Sequence, residues 1–244
     1  MQCHLCLQEK DLKNSHIIPE FFYKPLYDNI HRFNVLSTSQ EKKTKYGQKG
    51  MREKLLCYDC EQFLSSIEDY VKRVFFGGAK IRISNEKNFI IIEDIDYKKF
   101  KLFQLSLLWR SGISKLKFFS GVSLGPHEEK LREMLFKKNP GEPYEYGCLL
   151  ALVLLDKYQV MDGLIMQPHF IKIDGYRCFR FLLGGCVWLF FVSKHNINFQ
   201  FKEYFLNKDG KLIITKQIAK DSKLMKGFAQ DLKKAGKLKL NYNQ

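Results

Sequence analysis

The chain lacks the marks of several broad protein classes. No apolar run approaches the roughly 20 residues that a membrane-spanning helix needs. Its two most apolar stretches are Cys148 to Leu155 and Phe179 to Val192. The first is short, and the second is broken by Arg180 and by Gly184-Gly185, so both read as buried strands. Cys3 follows the initiator Met almost directly, leaving no room for a charged-then-apolar leader, so no secretory signal is expected. Low-complexity tracts and repeats at solenoid periods are also missing, which argues against a disordered linker and against a repeat array. These absences predict a soluble, cytoplasmic protein with no membrane association. In a reducing compartment, paired cysteines point to metal rather than disulfide.

Acidic residues are in short supply. The 244-residue chain has 26 Asp and Glu against 41 Lys and Arg, a formal net charge of +15. An imbalance of that size favours a polyanionic partner, nucleic acid foremost. The apolar share is 45%, with 21 Phe and 12 Tyr, which is ample for a packed core. The length suits one large domain, or a small finger joined to a larger body.

What is present is concentrated near the N-terminus. Cys3-x-x-Cys6 opens the chain and Cys57-x-x-Cys60 follows much later. Two such knuckles can wrap one tetrahedral zinc, because each short loop turns both of its thiolates toward the same ion. With all four positions filled by protein, that zinc is structural and does not itself activate water. The remaining cysteines, Cys148, Cys178 and Cys186, lie singly in strand-like apolar runs and read as core.

Between the knuckles the reading is a polar turn at Asp11 to Ser15, a short strand His16-Ile17-Ile18 ended by Pro19, and a helical turn over Glu20 to Tyr27. Residues 28–54 form a basic insertion with hairpin character. It carries Lys42, Lys43, Lys45, Lys49 and Arg52, placed to hold a phosphate backbone. After Cys60 the apolar positions Phe63, Leu64, Ile67, Val71 and Val74 describe one stripe of a helix, and Gly77-Gly78 ends it. Glu61, Ser65 and Glu68 share another face of that helix.

Residues 79–244 read as an α+β body. A hairpin spans Ile81 to Ile92, Asp96 caps a helix to about Arg110, and Gly125-Pro126 opens another helix. A mainly antiparallel sheet follows from Tyr144 to Thr215, with hairpin signals at Asp174-Gly175 and Lys208-Asp209-Gly210. An amphipathic, lysine-rich helix closes the chain over 218–235. The expected organisation is thus a finger over 1–76 and a body over 79–244 whose role no motif names, the two packing together.

Three pieces of the finger resemble the HNH, or ββα-metal, endonuclease family in its zinc-bearing form: Cys3-His4-Leu5-Cys6, then Ser15-His16-Ile17-Ile18-Pro19, then Leu55-Leu56-Cys57-Tyr58-Asp59-Cys60-Glu61. The resemblance covers about the first seventy-five residues. It implies a zinc-stapled ββα-metal finger and a metal-dependent hydrolase of phosphodiester bonds, acting on DNA in preference to RNA, in phage defence or a mobile element. In such proteins the histidine before the apolar pair and proline is the general base. Carried over, the base is His16, and a divalent ion, Mg²⁺ or Mn²⁺, polarises the phosphate.

The chain departs from the pattern in two ways. Ser15 stands where the family has Asp or His as a metal ligand, and Glu61, Ser65 and Glu68 stand where it has His or Asn. Either the second ion is rebuilt around Glu61, with Glu68 or Asn14, or it is lost. The rival readings are a non-catalytic zinc finger that binds nucleic acid, and a zinc-stabilised module for a protein or small ligand. A protein partner or a second copy of the chain stays open.

Overall fold

The computed structural model describes residues 1–36, 41, 43–195, 200 and 202–237, and Lys42 therefore lies outside the described residues. The chain is mixed α+β. Its N-terminal part holds β1 (Leu12–His16), β2 (Phe33–Val35), β3 (Lys45–Gly47), β4 (Arg52–Cys57) and α1 (Tyr58–Phe76). The remainder holds β5 (Arg82–Asn85), β6 (Phe89–Glu93), α2 (Tyr97–Ile113), α3 (His127–Phe136), β7 (Cys148–Leu154), β8 (Met166–Ile173), β9 (Tyr176–Leu183), β10 (Cys186–Phe191), β11 (Leu212–Ile218) and α4 (Lys223–Lys234).

β1 and β4 pair antiparallel, and α1 follows β4 without a break. The strand lies earlier than the apolar pattern suggests. Asp11 to Ser15, expected as a turn, is mostly strand, whereas Ile17 and Ile18 lie beyond it in the core. The reason is tertiary: β1 takes its register from β4, with a bulge between Lys13 and Asn14, and that register buries Ser15 completely. The insertion contains the short β2–β3 hairpin.

The body is built on a seven-stranded sheet of order β5-β6-β11-β7-β10-β9-β8. It is mixed rather than antiparallel, because β11 enters the middle of the sheet parallel to β7 and antiparallel to β6. An apolar run carries no mark of strand direction, so this is settled only by the route of the chain. Asp174 and Gly175 do turn β8 into β9, both with positive φ as that hairpin turn requires. The Asp209-Gly210 turn instead leads from a 3-10 segment into β11, joining no two strands. The C-terminal helix starts later than the expected 218: Ile218 ends β11, and α4 begins at Lys223.

α2 is the central helix. Every residue from Phe100 to Ser111 is buried, its polar members included. Asp96 caps it, accepting from the Lys99 N–H at 3.0 Å. The fully buried Lys101 donates to the carbonyls of Tyr146 at 3.1 Å and Pro143 at 3.3 Å, and burial lowers its pKa from 10.5 to about 8.

Trp188 on β10 joins the two halves of the chain. Its ring lies 6.1 Å from Phe22, 5.8 Å from Phe75 and 6.0 Å from Phe103, which belong to the N-terminal part, α1 and α2. One hydrophobic cluster therefore runs from Cys3 to Ile214 across Gly77-Gly78. The Gly184-Gly185 turn allows this approach. Both residues have positive φ, and a Cβ on Gly184 would sit 2.4 Å from the Phe22 ring.

No helix among the described residues is long and apolar enough to cross a membrane.

Candidate functional site

The four cysteines come together. The first knuckle closes when Leu7 N–H bonds the Cys3 carbonyl at 2.9 Å, with Leu7 itself at φ +61°. It is tied to β4 by His4 N–H to the Leu55 carbonyl at 3.0 Å. The second knuckle is the junction of β4 and α1, where Cys57 precedes the helix and Cys60 lies in its first turn. The sulfurs of Cys3, Cys6, Cys57 and Cys60 all lie within 4.8 Å of one another, and Cys6 and Cys57 are 3.8 Å apart. A tetrahedral zinc with bonds of about 2.3 Å requires sulfurs about 3.8 Å apart, so the set fits one such ion. Among the described residues it is the only group of three or more His, Cys, Asp or Glu placed to share an ion.

The local field favours thiolate at one position. Burial alone would raise Cys3, but N–H groups of Cys57, Cys6 and Leu5 point at it and bring it down to about 7. Cys60 moves the other way, pushed up by burial and by its sulfur neighbours. A divalent cation would relieve that mutual repulsion, and binding it releases the thiol protons.

His16 ends β1 at the mouth of a second cluster. Its Nε2 lies 2.6 Å from Glu20 Oε2 and 2.8 Å from Arg52 Nε. The other Glu20 oxygen accepts from the Tyr27 hydroxyl at 2.7 Å, and Tyr27 stacks on His31 with ring centres 3.8 Å apart. Burial is the main reason that the His16 pKa falls below its usual 6.5, with Arg52 adding to it and Glu20 opposing, so the ring is neutral at pH 7.

Behind the ring, the backbone of His16 is anchored from the body. Arg110 on α2 donates through Nη1 to the His16 carbonyl at 2.7 Å and through Nη2 to Glu68 at 2.5 Å. That ion pair is nearly dry, with the Arg110 side chain 2% exposed. Burial lifts the Glu68 carboxyl above its ordinary range, against the pull of Arg110. About two turns toward the start of α1, Glu61 accepts from the Ser15 hydroxyl at 2.5 Å.

Two further contacts hold the N-terminal part on the body. Glu53 of β4 accepts from Ser114 Oγ at 2.8 Å and from Lys115 N–H, beyond the end of α2, and Arg132 on α3 donates to the Leu5 carbonyl at 2.8 Å.

The residues singled out in the sequence therefore sort into groups. Cys3, Cys6, Cys57 and Cys60 converge. His16, Ser15, Glu61 and Glu68 lie along the β1–α1 contact, with Glu68 committed to Arg110. Arg52 faces His16 and Glu20 rather than open surface. Lys43, Lys45 and Lys49 are exposed on and beside β3, without ion pairs among the described residues. Cys148, Cys178 and Cys186 are buried in the sheet.

Glu20, Tyr27 and Arg110 were not legible as site residues. Glu20 stood four places after His16, a spacing that brings side chains together only if the chain coils after Pro19, and the 3-10 turn over Glu20–Phe22 supplies that coil. Arg110 had one faint signal, a cation directly after the apolar run Leu107-Leu108-Trp109.

No protein-family model, no curated protein and no solved structure matches the chain.

Proposed function

We propose that residues 1–76 are a zinc-stapled ββα-metal finger of HNH type and that the protein is a metal-dependent endonuclease acting on DNA. The observation that carries this reading is the setting of His16: an imidazole at a strand end, fixed through its carbonyl by Arg110, with Nε2 accepting from Arg52 and 2.6 Å from Glu20.

A single ring nitrogen cannot both donate to Glu20 and accept from Arg52. Arg52 Nε–H donates to Nε2 at 2.8 Å, so the ring proton is assigned to Nδ1. When Arg52 turns to a phosphate oxygen, the Nε2 lone pair is released to take a proton from water. The imidazolium that forms is stabilised by the Glu20 carboxylate, itself held by Tyr27. The water oxygen bonds to phosphorus and the bond from phosphorus to the 3′ oxygen breaks. Arg52, 3.7 Å from Glu20 at its nearest ion-pair contact, is placed to turn to a phosphate oxygen, and exposed Lys43, Lys45 and Lys49 hold the flanking backbone.

The four cysteines are assigned a structural zinc. A divalent ion, Mg²⁺ or Mn²⁺, would rest on Glu61 as its protein carboxylate, with substrate phosphate and water completing its shell, and would polarise the scissile phosphate. Glu68 is left out of that role because Arg110 occupies it.

The second reading, a non-catalytic zinc finger that binds nucleic acid, draws on one observation: both helix carboxylates have protein partners, Glu61 with Ser15 and Glu68 with Arg110. Plasmid cleavage with Mg²⁺ or Mn²⁺ separates the two. The expected result is nicking by the wild type and at least a hundredfold loss in His16→Ala, which keeps its zinc and its thermal unfolding. Equal cleavage by both proteins removes His16 as base. Salt-sensitive DNA binding with no cleavage by either favours the second reading.

A further inference from the structure

A cleft of about 340 Å³ opens between the C-terminal turn of α1 and the β5–β6–β11–β7 side of the large sheet. Its walls are almost wholly apolar. Phe76 and Phe100 close one side, and Ile83, Ile90 and Leu152 line the other. Phe76 and Ile83 stand at its lips, 52% and 59% exposed. The sole charged side chain in its lining is Asp162 at the rim, and no hydrogen bond or ion pair engages its carboxylate among the described residues.

Each of these features narrows the occupant. The volume is that of a small-molecule pocket, which typically runs from about 300 to 1,000 Å³ with few polar groups. With no Lys or Arg in the lining, the cleft gives no purchase to a phosphate backbone. Apolar walls reward burial of a hydrocarbon or aromatic body. An unpartnered carboxylate at the edge of such walls favours a cation and repels an anion, and here it does so against the field of the whole chain, whose net charge is +15.

We propose that this cleft is a binding site for a small amphipathic amine, its apolar body lying between Phe76, Phe100 and Ile90 and its ammonium group at Asp162. The site lies apart from the His16 cluster and stands whether or not the chain cleaves nucleic acid.

The test is calorimetric titration of the full chain at neutral pH with 4-phenylbutylamine, 4-phenylbutanol and 4-phenylbutyrate, which share one apolar body and differ in charge. Saturable binding in the order amine, alcohol, carboxylate is expected, with the amine favoured over the alcohol about three- to fivefold, the range of a rim ion pair. Asp162→Asn should bring amine and alcohol level. Ile90→Trp should fill the cleft and abolish binding of all three. Should that variant fail to fold, Ile83→Ser at the exposed lip should weaken all three together. The proposal is overturned if no probe saturates, if the carboxylate binds best as the net charge alone would dictate, or if the Asp162 and Ile83 changes leave every affinity unaltered.

Discussion

The cysteine clamp and the His16 cluster share β1, β4 and α1, yet they are held in different ways. Every backbone contact that shapes the clamp comes from within the N-terminal part, apart from Arg132 reaching the Leu5 carbonyl. The His16 cluster depends on a residue far along the chain, because Arg110 grips both the His16 carbonyl and Glu68. Four soft ligands around a cation form a local and self-sufficient staple. The His16 ring sits in a shell of side chains, and the body supplies part of it. The clamp is shaped by contacts near it in the chain, and the body anchors the backbone of the histidine.

Breaking the clamp should have the largest effect. Zinc bound to four thiolates contributes on the order of 10 kcal/mol to folding of such units. One zinc per chain is expected by elemental analysis. Chelation, or Cys57→Ser, should unfold the N-terminal part, read as lost helix in circular dichroism and a much lower Tm. A zinc-free protein with an unchanged Tm would contradict the staple.

Breaking the tie from the body comes next. Arg110→Met leaves the largely buried Glu68 carboxylate, 18% exposed, unpaired and should cost about 3 kcal/mol by denaturant unfolding. Adding Glu68→Leu to that variant should recover most of the loss, because the stranded charge is gone. If the single and double variants are equally unstable, the pair is not what matters at this contact.

Lys101 sharpens the comparison from the far side of α2. Its folded pKa, about 8, lies below its ordinary 10.5, so the folded state binds the proton less well than the unfolded chain. The burial penalty is fully present below about pH 8 and is relieved as pH rises toward the unfolded value. Wild type should therefore gain stability relative to Lys101→Met across that window, by at most about 3 kcal/mol. Unfolding both proteins at pH 7.5 and pH 9.5 measures it, and a constant difference would show that the ammonium is not the strained group.

The smallest expected effect lies within the His16 cluster. Glu20→Gln removes the one neighbour that raises the His16 pKa, so the titration of that ring should move further below 6.5. Stability should change by only about 1 kcal/mol, one lost charge-assisted contact at a partly exposed site. An NMR titration of the ring protons reports the shift, and movement upward would mean that Glu20 does not face the imidazole.

The clamp was readable because its chemistry lies in spacing alone: two C-x-x-C loops converge wherever the chain returns. The stripe of α1, the Asp96 cap and the Asp174-Gly175 turn were likewise local, set by side-chain period and φ preference. β1 was misplaced because Leu12 to His16 looks polar, and only pairing with β4 makes it a strand that buries Ser15. The parallel entry of β11 was illegible because an apolar run is the same read in either direction.

The division of the chain shows the same limit. Gly77-Gly78 does end α1, as its glycines imply, but it does not separate two cores, since Phe22 and Phe75 both lean on Trp188. The insertion's cations also parted. Lys43, Lys45 and Lys49 stayed on the surface, while Arg52 is drawn to His16 and Glu20.

By itself the sequence determined what short-range chemistry can determine: a four-cysteine metal set, a strongly basic chain and the positions of most helices and strands. The tertiary structure decided what depends on distant partners. It placed Arg110 behind His16, set Glu20 and Arg52 on the same ring nitrogen, and opened an apolar cleft with an acid at its rim. The physical reason is range. Turn preferences and ligand spacing act over a few residues, whereas the burial that pairs Arg110 with Glu68, or joins Trp188 to the finger, exists only once the whole chain has closed on itself.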